Sequence, residues 1–348
     1  MSAGPGIQVL PQSAAERVAA GEVVERPASV VKELIENSLD AGARRIVIEI
    51  GGAGQRLIRI SDDGAGIPGA EVPLAFQRFA TSKIRTAEDL RHVRTYGFRG
   101  EALPSIAAVA RVQMVTRIQG ADAVKIVIAG GTRQGLGPAS GPQGTTVGVE
   151  DLFFNTPARR RFLKSPARER AVIVDTVEAL ALAAPEVAFR LTDEDQEILW
   201  FPPETFAERA RRVLGPEVAA HALEVSAIGT TGTLGGVLGT PQVAQRRRTH
   251  QWFLVNNRPV RSPLLARALA QAYHTLIPED RHPAAVLSVR LAPEDVDANV
   301  HPRKAEVRFV RERELFEDVE RAVRRTLHRV PLLHVIPALQ GQIGRAHV

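Results

Sequence analysis

The sequence predicts an α/β protein of the α+β kind, in two domains, and three observations carry that reading. A helical period over Pro27–Asp40 gives way to two stretches, residues 45–50 and 56–61, that alternate apolar and polar side chains. Those stretches are joined by Gly51-Gly52-Ala53-Gly54, which is a hairpin signature. Around Leu214-Gly215-Pro216 the pattern of strands and helices restarts. The restart divides a domain of residues 1–215 from a smaller α/β domain of residues 216–335, with 336–348 as a tail.

Taken in order, residues 13–20 and Pro27–Asp40 read as helices, the second opening on Pro27, which suits a first helical turn, and stopping at Gly42. After the glycine hairpin come helical stretches near 69–79 and 87–93, a turn at Tyr96-Gly97-Phe98-Arg99-Gly100, and an alanine-rich helix to about Val109. Strands resume at 112–116, 124–129 and 145–150, while 130–144, rich in Gly, Pro and Ser, reads as a surface loop. A long helix at 167–183 precedes a second hairpin of 187–192 with 197–200. The second domain carries strands at 223–227, 233–239, 251–255, 285–289 and 306–309, and helices at 262–274 and 312–327.

Composition narrows the function classes. With 348 residues, 44% of them hydrophobic, the chain can bury sizeable cores, and its zero cysteines exclude disulfides, thiolate metal sites and thiol catalysis in this segment. No run approaches the roughly 20 apolar residues of a membrane span, and the N-terminus has no basic-then-apolar export pattern, so a cytoplasmic protein is expected. The formal charge of +6 permits polyanion partners. Between Gly215 and Pro337 stand 17 basic and 13 acidic residues, so most of that surplus lies in the second domain.

Four clusters hold the chemistry-bearing residues. Glu33, Glu36, Asn37 and Asp40 form one polar stripe of a helix, where Asn37 is a mediocre helix former for a merely solvated face. Asp62-Asp63-Gly64-Ala65-Gly66-Ile67 ends a strand in a tight glycine turn. Gly64, Gly66 and Gly69 fit G-x-G-x-x-G, but the preceding strand alternates and belongs to a hairpin, unlike the apolar parallel strand of a dinucleotide fold. Ala80-Thr81-Ser82-Lys83 is the third cluster, and Gly97-Phe98-Arg99-Gly100-Glu101-Ala102-Leu103 places glycines before a helix start, a concavity suited to phosphate. No G-x-x-x-x-G-K-[ST] occurs.

In this order, E-N-S-L-D-A-G, D-x-G-x-G-I, A-T-S-K and G-F-R-G-E-A-L, with N-T-P-A-R-R at 155–160 and N-V-H-P-R-K at 299–304, the chain resembles the N-terminal half of the MutL family. That family of DNA mismatch repair ATPases belongs to the gyrase, chaperone, histidine kinase and MutL superfamily. The resemblance spans roughly residues 7–330 and implies a Bergerat-type ATP-binding α/β sandwich on a mixed, largely antiparallel sheet, followed by a transducer domain.

It also implies roles. Glu33 matches the general base that activates water for attack on ATP, Asn37 the Mg2+ ligand, and Asp62 the carboxylate that reads the adenine amino group. Gly64, Gly66 and Ile67 match the adenine-side turn, and Thr145 a residue that supports that contact. Residues 79–100 match a lid over the nucleotide, with Thr81, Ser82, Lys83, Gly97, Phe98, Arg99, Gly100, Glu101, Ala102 and Leu103 near the phosphates. Lys304 matches a lysine that reaches the γ-phosphate from the second domain.

Two positions depart from the family pattern: Asp63 stands where Asn is common, and Phe79 where a polar residue often precedes A-T-S-K. Arg246, Arg247, Arg248, Arg258 and Arg261 are candidates for DNA phosphate contacts, whereas Arg159-Arg160-Arg161 suits ion pairs inside the first domain. The resemblance further implies an ATP-driven homodimer around DNA that meets MutS and a downstream nuclease or helicase, with nucleoid association in a bacterium. The family's C-terminal dimerisation domain, endonuclease-bearing in many members, is not among these residues, so a segment of a longer protein is expected. Two rivals share the fold: a nucleotide-sensing recruitment module with incidental turnover, and the ATPase part of a topoisomerase or histidine kinase. The stretch before Glu33 contains no His to accept a phosphoryl group.

Overall fold

A computed structural model describes residues 20–21, 23–83, 95–97, 100–297 and 307–329. The helices expected at 13–20 and 87–93 lie outside these residues except for Ala20, as does the tail. Two compact units divide at Thr205 and Phe206. The division falls ahead of Leu214-Gly215-Pro216, which lies within a helix, Phe206–Ala219, kinked where Gly215 takes φ 83°. A Gly-Pro pair withdraws one helical conformation and one N–H donor, enough to bend a helix without ending a domain.

The first unit runs α1 (Pro27–Asp40), β1 (Arg45–Gly51), β2 (Leu57–Asp62), α2 (Ala102–Val109), β3 (Arg111–Arg117), β4 (Ala123–Ala129), β5 (Thr132–Ala139), β6 (Gly144–Glu150), α3 (Pro157–Arg161), α4 (Pro166–Ala183), β7 (Ala188–Asp193) and β8 (Gln196–Phe201). Its eight-stranded sheet has the order β5-β4-β3-β6-β2-β1-β7-β8. Only β1 and β7 pair in parallel; the other neighbours are antiparallel. Alternate side chains Ile46, Ile48 and Ile50, Ile58 and Ile60, Val112 and Met114, and Val147 and Val149 are buried. Val30, Val31, Leu34 and Ile35 of α1 are buried too, and α1 packs on α4 and β2.

Register matters more than strand count. Asp62 on β2 stands opposite Thr145 on β6, and Thr145 stands opposite Thr116 on β3. One cross-strand row therefore gathers a carboxylate and two hydroxyls at one end of the sheet, although they lie far apart in sequence.

Two readings are corrected. The expected loop 130–144 contains β5, which pairs along β4 at the sheet edge. Gly135, Gly137 and Pro138 read as loop residues, but an edge strand tolerates a proline because one row of its N–H groups needs no partner. The expected helix near 69–79 is two short 3-10 turns, Gly69–Glu71 and Leu74–Phe76, each entered from a proline, Pro68 and Pro73. Pro73 cannot continue a helical ladder through this stretch.

The second unit holds α5 (Phe206–Ala219), β9 (Ala222–Ile228), β10 (Gly232–Gly239), β11 (Gln251–Val255), β12 (Arg258–Val260), α6 (Pro263–Tyr273), β13 (Ala285–Leu291), β14 (Val296–Asp297), β15 (Arg308–Phe309) and α7 (Glu312–Leu327). A five-stranded sheet has the order β12-β11-β13-β10-β9, with β11 and β13 parallel. Leu265, Leu269 and Tyr273 of α6 and Leu315, Val319 and Val323 of α7 share a core with Phe253, Leu287 and Val289. Asn256 and Asn257, both at positive φ, make the two-residue turn between β11 and β12. Among the described residues no helix is long and apolar enough to cross a membrane.

On α4, burial and then the neighbouring Asp175 charge push the Glu178 carboxyl up to about 7 from 4.5. The folded chain keeps that proton through a range in which the unfolded chain has lost it. This contribution to stability is intact below 4.5 and is lost as pH rises through about 7. Glu178→Gln is therefore expected to raise the urea midpoint near about pH 8 and to leave it unchanged below 4.5, as followed by circular dichroism.

Candidate functional site

α1 has three different faces. Val31, Leu34 and Ile35 enter the core, while Glu33, Asn37 and Asp40 line a partly exposed edge. Between them Ser38 is buried, and its hydroxyl lies 2.7 Å from Asp62 Oδ2 and 3.2 Å from the Leu34 carbonyl. The single proton favours the shorter, charge-assisted bond to the carboxylate. Asp62 Oδ1 accepts from Gly64 N at 2.9 Å and Thr145 N at 3.2 Å. Burial pushes the Asp62 carboxyl up against the pull of these three donors, with the Asp63 charge adding to the rise. A carboxylate offers about four acceptor positions. The three donors leave room on Oδ2 for one further N–H.

Asp62 is framed by hydroxyls and tight turns. Thr116 Oγ1 accepts from Ile67 N at 2.9 Å, lies 3.2 Å from the Gly144 carbonyl, and lies 3.0 Å from Thr145 Oγ1. At Gly66, φ is +73°, and an added Cβ would stand 2.3 Å from the Arg117 carbonyl oxygen. Only glycine fits there without moving backbone. Ala65 N donates to the Ala41 carbonyl at 3.0 Å, fixing the turn to the end of α1. Asp63 faces away: its Oδ1 accepts from Arg44 N and Arg45 N, both at 2.8 Å, and pins the entry of β1. An amide carbonyl would accept the same two bonds, so this departure from the family pattern is compatible with the turn.

The third and fourth clusters meet at the same, C-terminal end of α1, around Asp40. Phe79 N donates to the Gly100 carbonyl, and Gly100, at φ +63°, comes so near Ala80 that a Cβ would stand 2.3 Å from its carbonyl oxygen. Phe79 itself holds φ 65° and is 73% exposed. Thr81 Oγ1 accepts from Lys83 N, and Ser82 is exposed. Lys83 Nζ reaches Asn37 Oδ1 at 3.0 Å and Asp40 Oδ2 at 2.6 Å. Asp40 also accepts from Tyr96 N at 2.9 Å and Gly97 N at 3.2 Å. Glu101, Ala102 and Leu103 open α2, whose N-cap residue Glu101 makes no side-chain cap.

The structure thus gathers Glu33, Asn37, Asp62, Gly64, Gly66, Ile67, Lys83, Gly97 and Thr145 around α1 and the adjoining sheet end. Phe98, Arg99 and Lys304 lie outside the described residues. Glu33 Oε1 is 3.4 Å from Lys32 Nζ, which binds the buried Glu36 more closely at 2.8 Å, so Glu33 is the looser partner. Among the described residues no group of three or more His, Cys, Asp or Glu could hold a metal alone. Sequence reasoning gave Ser38, Thr116 and Asp40 no role at the site. A serine in a helix interior, on the buried side of a polar stripe, is the signal that would have found Ser38.

In the second unit, Arg246, Arg247 and Arg248 are exposed just ahead of β11. Val260 pairs with Phe253, so the exposed Arg261 continues β12 toward that same end of β11, whereas Arg258 sits opposite Val255 at the turn end. The five arginines therefore occupy both ends of one hairpin.

Residues 25–130 match the family of histidine kinase-, DNA gyrase B- and HSP90-like ATPases, and residues 210–328 match the C-terminal domain of DNA mismatch repair proteins. The DNA mismatch repair protein MutL of Symbiobacterium thermophilum is 47% identical over 323 residues, covering 92% of this chain and 51% of that protein. MutL of Acidiphilium cryptum is 48% identical over 304 residues, covering 87% and 52%. The chain spans about half the length of the curated relatives it matches. Among solved structures, the Aquifex aeolicus MutL ATPase domain complexed with ADP is 30% identical with a TM-score of 0.62, covering 78% of this chain and 94% of that one.

Gly66→Ala is expected to cost roughly 2–4 kcal/mol, because it adds a left-handed alanine to a backbone clash. Chemical denaturation measures it; a loss under about 0.5 kcal/mol would mean that the turn re-forms without strain.

Proposed function

Because the chain belongs to the MutL family of DNA mismatch repair proteins and carries its ATPase region, we propose that it binds ATP with Mg2+ along α1 and hydrolyses it slowly. One observation carries this reading: the Ser38–Asp62 hydrogen bond of 2.7 Å ties a base-reading carboxylate to the helix that bears Glu33 and Asn37. Asp62, with one acceptor position left on Oδ2, suits the N–H of an adenine amino group. Guanine would present an oxygen there, and two acceptors would oppose each other. Thr145 N, the Gly64 turn and the Thr116 hydroxyl keep the carboxylate aimed.

For the metal, the donor chemistry fits. Asn37 offers a hard amide oxygen, already resting on a cation, the Lys83 ammonium. The lack of a protein-only cage among the described residues suits Mg2+, which takes few protein ligands beside phosphates and water. When bound, Mg2+ supplies neutralisation of the phosphate charge. Glu33, one turn from Asn37 and only loosely held by Lys32, accepts the proton of the attacking water. The water oxygen bonds to the γ-phosphorus as the bond to the β–γ bridging oxygen breaks, and ADP leaves with those electrons.

In the whole protein we read this turnover as a conformational signal: ATP draws two N-terminal regions together around DNA, the arginines beside β11 and β12 meet backbone phosphates, and MutS and a downstream nuclease or helicase are the partners. Such work belongs in the cytoplasm, at the nucleoid of a bacterium.

Glu33→Ala is expected to lower ATP turnover by roughly 10^2 to 10^4 while nucleotide affinity stays within about threefold. Equal turnover by variant and parent removes Glu33 as the base. For DNA, replacing Arg258 and Arg261 by Ala is expected to reduce the slope of log K against log salt by about one unit each, measured by fluorescence anisotropy. An unchanged slope moves the contact surface elsewhere.

A further inference from the structure

Asp40 and Lys83 form a pair whose placement goes beyond ATP binding itself. Lys83 Nζ lies 2.6 Å from Asp40 Oδ2 and 3.0 Å from Asn37 Oδ1, and the two charged side chains are only 20% and 5% exposed. Asp40 is held in turn by Tyr96 N on Oδ1 and Gly97 N on Oδ2, at 2.9 and 3.2 Å. A carboxylate so anchored does not swing out; it fixes where the ammonium sits. That place is against the amide oxygen assigned above to the metal.

We propose that Asp40 is a positioning residue that parks the Lys83 ammonium on the cation seat of Asn37, so that a divalent cation and the parked lysine exclude one another. This inference rests on the Mg2+–ATP reading. A divalent cation bonds such an oxygen at about 2.1 Å. With Nζ at 3.0 Å from the same atom, the two cations would be at most about 5 Å apart in a half-buried site. Repulsion between a divalent and a monovalent cation at that range outweighs the Asn37 bond, and the metal's double charge takes over the neutralisation of Asp40 that the lysine supplied, so the lysine leaves when the metal arrives. A triphosphate gives the displaced ammonium somewhere to go, which ties its departure to nucleotide and keeps the seat closed to free divalent ions. Asn37 alone, without Asp40 beside it, would leave Lys83 free to remain in solvent.

The test uses the full chain without nucleotide and Mn2+ as the paramagnetic probe, titrated by electron paramagnetic resonance. Lys83→Met is expected to tighten Mn2+ about tenfold, and adding Asn37→Ala to that variant is expected to abolish the gain. Reciprocity supplies a check on the unsubstituted chain, which a misfolded variant cannot confuse. Saturating Mg2+ is expected to speed acetylation of Lys83, followed by peptide mass spectrometry, at least threefold over K+ at equal ionic strength. Mn2+ affinity unchanged or weakened in a folded Lys83→Met chain, or Lys83 labelling unmoved by Mg2+, overturns the proposal. Nucleotide uptake is read separately with trinitrophenyl-ATP. A chain that takes up nucleotide but shows neither change keeps the ATPase reading and loses the parked lysine; one that shows both changes but takes no nucleotide does the reverse.

Discussion

The hydrogen bond between Ser38 and Asp62 is the constraint on which the site depends. A carboxylate drawn partly out of water at the end of a sheet needs donors, and two of its three are backbone N–H groups delivered by local strand and turn geometry. The third comes from a helix. Without it, α1 and the sheet end would share only the Ala65–Ala41 backbone bond of the turn and apolar packing, which tolerates sliding by fractions of an ångström. A charge-assisted bond of 2.7 Å does not. The helix that carries Glu33 and Asn37 is thereby indexed to the carboxylate rather than merely stacked near it.

The sheet makes the corresponding demand from the other side. Asp62, Thr145 and Thr116 fall in one row only because β2, β6 and β3 keep a single register. A slip of one residue would turn Val147 and Val149 out of the core, so the hydrophobic alternation that stabilises the domain also places the polar row. Stability and site geometry are thus the same restraint seen from opposite faces. The α1 end shows a further economy: Asp40 takes a lysine and two backbone N–H groups from segments on either side of residues 84–94.

Much of this was legible in the sequence, for identifiable reasons. The α1 stripe, the glycine hairpin of β1 and β2, and the alternation in β3, β4 and β6 follow from periods of 3.6 and 2, which need only local residues. The four clusters in their order, with the motifs at 155–160 and 299–304, carried the family resemblance, and with it the proposal of Glu33, Asn37 and Asp62 as site residues. What sequence could not give was long-range. Thr116 lies 28 residues from its Gly144 acceptor, and nothing local marks it. Ser38 reads as a poor helix former until β2 is laid beside it. β5 was hidden by Gly135, Gly137 and Pro138, whose local preference for turns is overridden by pairing with β4.

That outer strand has a consequence for assembly. Among the described residues the large sheet has two open rims, β5 and β8, and an open rim ordinarily recruits another chain by continuing the ladder. Pro138 removes a donor from the β5 rim, and Gly135 and Gly137 leave no side chains to grip an incoming strand. Fibre-like stacking through that rim is disfavoured by composition alone, so a copy that met this chain there would do so by matching side-chain surfaces. Contacts of that kind can be made and undone without unfolding either copy.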